Sequence, residues 1–337
     1  MSSPQTKAIL ALSITAVILL GTIAVLYAFV GKAKPQCTPR TTFCGSRPPT
    51  CDYAVHQKNA KLPNPTPRVS TGYDWVAANY ALNLFVEAAN AYTMNKTPQA
   101  FPHTKTIAVL SGVDVPDPQT MSKRRLHNIA WMVKVPGTKN VPDQIYIIWR
   151  GTQTTPEWGV DANMPLIPWH PDYPGVLVHK GFDEAIKEVR DDMYAALRAH
   201  VTRPDNTVVY VSGLSLGGAL TTVAVADLVT RSGLGLQDVR MYALASPRVG
   251  NKAFVNMMKA ANAPGKPLVD MFTIINAKDV FPMLPPSNLG FEPMPALTFS
   301  ADWGDISSNH LMAIQFAHLD RVSRKCPIIS PPPDVPV

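Results

Sequence analysis

Ser215 stands in the pentapeptide Gly213-Leu214-Ser215-Leu216-Gly217, a G-x-S-x-G pattern. A serine hydroxyl is a weak nucleophile until a neighbouring base takes its proton, so the pattern asks for a histidine and a carboxylate elsewhere in the chain. The local sequence suits such a role. Residues 208–211 form an apolar, β-branched run that reads as a buried strand. Residues 216–229 are mostly small and apolar, without proline, and predict a helix ending near Gly233. Strand, sharp turn and helix form the context in which this motif lifts its serine above a sheet. The turn leaves no room for side chains beside the serine, a demand that Gly213 and Gly217 meet. The N-terminus of the helix behind Ser215 favours developing negative charge. Ser215 is the expected nucleophile.

A second chemical stretch is Ile147-Ile148-Trp149-Arg150-Gly151-Thr152, which ends another strand. Gly151 permits a sharp turn there. Thr152 can offer a hydroxyl and an N–H, which with the N–H of Leu216 would supply donors for an oxyanion. The competing reading is a strand-ending turn with no further task.

These groups need a frame. Apolar positions Trp75, Val76, Tyr80, Leu82, Phe85, Val86 and Ala89 predict an amphipathic helix over 73–94 that covers a core. Residues 95–127, punctuated by prolines, read as surface loop. Strands are expected at 129–135 and 144–150. A helix over 182–201 carries Ile186, Val189, Met193 and Leu197 on one face. A strand at 239–245, a helix near 251–262 and a strand at 269–276 follow. Alternating strands and helices call for an α/β fold, a mainly parallel sheet with helices on both faces. Active groups then gather at the carboxyl ends of the strands.

Charge is uneven along the chain. The net charge is +7. Residues 1–70 hold eight Lys and Arg against one acid, Asp52, and the rest of the chain carries 23 of each sign. A neutral globular part behind a basic segment fits an anionic membrane surface better than nucleic acid. Residues 8–30 are 23 consecutive uncharged residues dominated by Ala, Ile, Leu and Val. At ~1.5 Å per residue this is long enough to cross the ~30 Å hydrocarbon layer, whereas a cleavable signal has an apolar core of only ~7–15 residues. A transmembrane helix is expected. Cleavage after Ala33 is the alternative, with Lys32 beside it a poor fit.

The side of the membrane is contested by two signals. Lys32, Lys34 and Arg40 outnumber Lys7 and the amino terminus, which would hold the large domain in the cytosol. Cys37, Cys44, Cys51 and Cys326 fall at the two ends of the chain, with none between residues 52 and 325. Their spacing does not resemble zinc-ligand pairs, and an even count suggests staples that persist only in an oxidising compartment. Asn95-Lys96-Thr97 is also a permitted glycosylation triplet. The expected placement of the globular part is lumenal or extracellular.

Six stretches, in order, resemble the fungal-type (class 3) lipases of the α/β-hydrolase superfamily over roughly residues 73–326. They are Trp149 to Thr152, Val178-His179-Lys180-Gly181-Phe182, Gly213 to Gly218, Ala245-Ser246-Pro247-Arg248-Val249-Gly250-Asn251, Asn276 to Pro282 with Leu284-Pro285-Pro286, and Asn309-His310-Leu311-Met312. Leu214 stands where that family usually has His, and the segment between Asp279 and His310 is short for it. The resemblance implies Asp279 as the acid of a triad. Its chemistry agrees, since it follows a strand in a loop where a carboxylate can orient a histidine. Of eight histidines, His310 fits the base best, coming after Asp279 in the order Ser, Asp, His. His318 also comes late enough, but inside an expected helix. His179 is expected to hold a loop near the site.

The resemblance also implies a lid between Thr152 and His179, where Trp158, Val160, Met164, Leu166, Ile167 and Trp169 cluster. Leu284 and Phe291, with Met283, Leu289, Met294 and Leu297, are expected to line an acyl groove, though for each taken singly ordinary core packing is the stronger reading. It further implies that Cys326 ties back to the N-terminal arm, to Cys51 before Cys37 or Cys44, with the other two paired.

The expected organisation is a membrane anchor at 1–34, a Pro-, Cys- and basic-rich stalk or wrapping arm at 35–70, the catalytic domain at 71–326 and a Pro-rich tail at 327–337. The expected activity is hydrolysis of acylglycerol esters at a membrane or lipid surface, with no metal or organic cofactor. Phospholipase A-type or feruloyl-type esterase chemistry on the same scaffold, or an inactive tethered binding protein, are the other readings.

Overall fold

Successive side chains of a strand point to opposite faces of its sheet, so a strand buried on both faces needs two separate covers. The computed structural model describes residues 75–93, 97–98, 104–113, 126–139, 141–151, 164–261, 268–300 and 309–310. Its first elements are helix α1 (Trp75–Thr93) and strands β1 (Lys105–Val113), β2 (Leu126–Val135) and β3 (Asp143–Trp149). A small pair, β4 (Leu166–Pro168) and β5 (Leu177–His179), leads into helix α2 (Lys180–His200). Then come β6 (Thr207–Leu214), α3 (Leu216–Thr230), β7 (Asp238–Leu244), α4 (Lys252–Ala260), β8 (Leu268–Asn276) and β9 (Ala296–Phe299).

Seven strands form one sheet in the order β1-β2-β3-β6-β7-β8-β9. The pairs β1–β2 and β2–β3 are antiparallel, and every pair from β3 to β9 is parallel. The register runs Trp149 beside Gly213 and Leu214 beside Leu244, so the C-terminal ends of β3, β6 and β7 lie together.

Ile145, Ile147 and Trp149 of β3, Val209 and Val211 of β6, and Val239 and Met241 of β7 belong to one core. Phe182, Ile186, Val189, Met193 and Leu197 of α2, apolar residues of α3, and Phe254 and Met258 of α4 complete it. The alternate residues Tyr146, Ile148, Val208, Tyr210, Tyr242 and Leu244 pack with Ala77, Ala81, Leu82, Leu84 and Phe85 of α1 in a second core. Helices thus cover both faces, as the alternating pattern predicts. The five α2 side chains are all at most 1% exposed. Each stabilises the α2–sheet packing by about 1.5–3 kcal/mol relative to full exposure.

One expectation is corrected. Residues 95–127 are not all surface loop, because Lys105–Val113 is strand β1 and β2 begins at Leu126. The Thr-Ile-Ala-Val-Leu run at 106–110 has β-forming residues but little strict alternation, and two irregularities in its register with β2 blur it further. Pairing across the sheet, which no local window contains, makes it a strand.

The expected membrane span at 8–30, the arm, the four cysteines, His318 and the Pro-rich tail lie outside the described residues. Among the described residues no helix is long and apolar enough to cross a membrane.

Candidate active site

Three chain segments meet at the C-terminal ends of the parallel strands. Strand β6 ends at Leu214, Ser215 makes the turn, and α3 starts at Leu216. Ser215 has φ 60° and ψ −125°, left-handed backbone that a residue with a side chain adopts only when its surroundings impose it. Those surroundings are tight. A Cβ on Gly213 would lie 2.3 Å from the Gly217 carbonyl oxygen, and one on Gly217 would lie 2.4 Å from the Trp149 carbonyl oxygen. The two glycines thus let the first turn of α3 sit directly on the end of β3. The Ser215 N–H donates to the Leu244 carbonyl at 2.9 Å, tying the turn to β7.

His310 reaches this serine from the far end of the chain. Its Nε2 lies 2.8 Å from Ser215 Oγ, and its Nδ1 lies 2.7 Å from Asp279 Oδ2. The Asp279 carboxylate is fully buried, while the His310 side chain keeps 17% of its surface exposed. Asp279 follows β8 in a tight turn whose N–H donates to the Asn276 carbonyl at 2.9 Å. Its second oxygen, Oδ1, accepts the Phe281 N–H at 3.0 Å. The Phe281 ring lies against the imidazole, with centroids 4.1 Å apart. The histidine is therefore held by a carboxylate at one nitrogen and by an apolar ring on one face.

Leu216 opens α3, and the first N–H groups of a helix have no acceptor within it. Gly151 lies next to the serine, since a Cβ built on it would come 4.0 Å from that of Ser215. Thr152, Trp158 and Val160 lie outside the described residues. Met164 is half-buried just before β4, Leu284 is half-buried, and Phe291 is 2% exposed. The Leu284 carbonyl accepts the Arg248 N–H at 2.7 Å. The Phe291 ring lies 5.8 Å from that of His179. His179 itself is fully buried, stacks on Phe182 and donates its N–H to the Val249 carbonyl at 2.8 Å. Its main chain ties the β5–α2 junction to the loop after β7.

Among exposed large apolar residues are Val280, Met283, Leu289 and Leu297, all between Asp279 and His310. Sequence reasoning passed over Asn276 and Phe281 as site residues. Both lie in the stretch around Asp279, but what they touch is set by a segment 29 to 33 residues away.

A mainly parallel sheet, a strained serine between strand and helix, and a histidine bridging it to a carboxylate define the α/β-hydrolase fold with a Ser-His-Asp arrangement at its strand ends. Residues 146–289 match the family described as Lipase (class 3). The match spans 144 of the 337 residues and includes the G-x-S-x-G turn and Asp279. The chain is 32% identical over 148 residues to a lipase of Rhizomucor miehei, covering 44% of this chain and 39% of that protein. The same identity and length relate it to the secreted mono- and diacylglycerol lipase A of Penicillium cyclopium, with 44% and 45% covered. The chain thus spans less than half the length of these curated relatives. In fold it resembles the Rhizomucor miehei lipase propeptide complex, with a TM-score of 0.53 at 22% identity over 74% of this chain and 81% of that one. The lipase of Rhizopus microsporus var. chinensis is similar with a TM-score of 0.52 at 21% identity, covering 72% and 83%.

Proposed function

We propose that the chain is a serine-dependent carboxylic ester hydrolase of the lipase type, acting on acylglycerols. The observation that carries this reading is the pair of contacts at His310, 2.8 Å to Ser215 Oγ and 2.7 Å to Asp279 Oδ2. In this mechanism His310 Nε2 takes the Ser215 proton as Oγ attacks the ester carbonyl. Asp279 accepts the Nδ1–H and stabilises the imidazolium that forms. The N–H of Leu216 and Thr152 hold the oxyanion. His310 then gives its proton to the departing alcohol. Water, deprotonated by the same histidine, releases the acyl group from Ser215.

The exposed apolar residues Val280, Met283, Leu289 and Leu297, all in the stretch that follows Asp279, support a long-chain acyl substrate over a small polar ester. The name of the Penicillium relative, a mono- and diacylglycerol lipase, supports an acylglycerol. We place residues 153–165 over the groove as a lid, β4 and the buried Trp169 being fixed to β5 and the core, and residues 8–30 in a membrane, with the catalytic domain on the lumenal or extracellular side.

The test is labelling by a serine-reactive phosphonate, followed by hydrolysis of a panel of acylglycerols and phospholipids. Labelling at Ser215 with turnover of mono-, di- or triacylglycerols is the expected result. An unlabelled Ser215 in the folded protein sinks the reading, and turnover of phospholipids alone moves it to the phospholipase class.

A further inference from the structure

Asp279 and His310 come from segments joined by more than the bond between them. Asn276, the last residue of β8, is 1% exposed. Its side-chain Nδ2 donates to the Asn309 carbonyl at 3.1 Å, and its Oδ1 accepts the Lys278 N–H at 3.2 Å. The two partners fix the orientation of the amide, because a carbonyl needs the NH₂ end and an N–H needs the oxygen. The main-chain carbonyl of Asn276 also accepts the Asp279 N–H at 2.9 Å. One residue therefore shapes the turn that carries Asp279 and grips the peptide just before His310.

We propose that Asn276 is a positioning residue for His310, a role that rests on the ester-hydrolase reading and deepens it. The side chain is short, buried and planted at the end of a central parallel strand paired with β7 and, at this residue, with Phe299 of β9. Its two hydrogen bonds refer the histidine segment and the aspartate turn to the same rigid point. His310 must hold Nε2 at 2.8 Å from Ser215 while Nδ1 stays at 2.7 Å from Asp279. A swing of the Asn309–His310 segment by an ångström breaks one contact or the other. Asparagine also suits a turn for its own sake, because its oxygen closes an Asx-type ring with the N–H two residues on. The bond to Asn309, 33 residues away, is what a turn alone does not require.

Asn276→Asp separates the two roles. Aspartate keeps the oxygen facing Lys278 and the shape, and it presents an oxygen where Asn309 needs a donor. Asn276→Ala removes both bonds. On a soluble short-chain ester both variants, folded by circular dichroism, are expected to lose about 10–100-fold in kcat with KM within about twofold, as for a misplaced catalytic group. In nuclear magnetic resonance, the low-field Nδ1 proton of His310, assigned by its absence in His310→Ala, is expected to broaden or vanish in both. If Asn276→Ala does not fold, Asn276→Asp carries the test. A folded Asn276→Asp with parent-like kcat and an unaltered proton resonance overturns the proposal, as does a change confined to KM. The resonance needs no turnover, so it judges the tie even if the parent hydrolyses no ester, an outcome that would sink the functional reading alone.

Discussion

His310 Nε2 lies 2.8 Å from Ser215 Oγ although 95 residues separate the two in the chain. The contact joins a turn after β6 to a segment that follows the last strand of the sheet. His318, the other late histidine, is eight residues further on and outside the described residues; in the helix expected there from the sequence, eight residues would span ~12 Å.

His310→Ala is therefore expected to lower kcat by ~10⁴–10⁶ with little change in folding, since members of a triad act as a unit. His318→Ala, outside that unit, is expected to cost less than about tenfold. Both are measured on a soluble ester with folding checked. A dead His318→Ala beside an active His310→Ala would reverse the assignment.

The glycines of the turn differ from those of ordinary loops. A Cβ on Gly217 would meet the Trp149 and Arg150 carbonyl oxygens at 2.4 and 2.8 Å, so Gly217→Ala must push β3 away from the serine. Most of the activity is expected to go with it. Gly175 has φ +79° and nothing within 4 Å of a built Cβ. Gly175→Ala is expected to cost only the left-handed backbone penalty, about 1–2 kcal/mol, with activity retained. Urea midpoints and ester turnover of both variants check the contrast.

Asp227 of α3 is fully buried among cations. Arg190 Nε approaches its Oδ2 at 2.8 Å, Arg231 Nη1 its Oδ1 at 3.0 Å, and the Tyr194 hydroxyl donates to Oδ2 at 2.6 Å. Arg231 also lies over the Trp169 ring, 3.8 Å from its centroid, and donates to the Trp169 carbonyl. Asp227→Ala leaves two arginines without their anion and is expected to destabilise by about 3–5 kcal/mol, read as a lower urea midpoint.

Asp143 gives a pH dependence with a defined sign. Burial pushes its carboxyl up, but the Gly137 N–H at 2.7 Å, Lys134 at 3.1 Å and Arg203 at 3.2 Å outweigh that and hold it below the usual value. A carboxyl depressed in the folded state stabilises fully above its unfolded pKa of about 3.9, and loses that contribution as pH falls through the folded value. Asp143→Asn is expected to melt lower than the parent at pH 7, with the gap closing below about pH 4. A gap that stays constant down to acid pH would count against the ion cluster.

Local chemistry was enough to read the turn at Ser215. A β-branched strand, two glycines and a run of small helix formers are adjacent in sequence, and the strain they permit is a property of that short segment. The alternation of strands and helices likewise announced a mainly parallel sheet, because period-2 and period-3.6 patterns are local. The edge strand β1 escaped, since its definition is its pairing with β2 and not its own pattern. Asp279 and His310 were legible as candidates only through their order and the motifs around them. Distance along the chain says nothing about whether a carboxylate and an imidazole meet at 2.7 Å. Only the tertiary structure brought Asn276 to the Asn309 carbonyl and the Phe281 ring to the His310 imidazole. Those contacts depend on where the β8 turn and a segment some thirty residues later end up in space, and no periodicity within either segment encodes that.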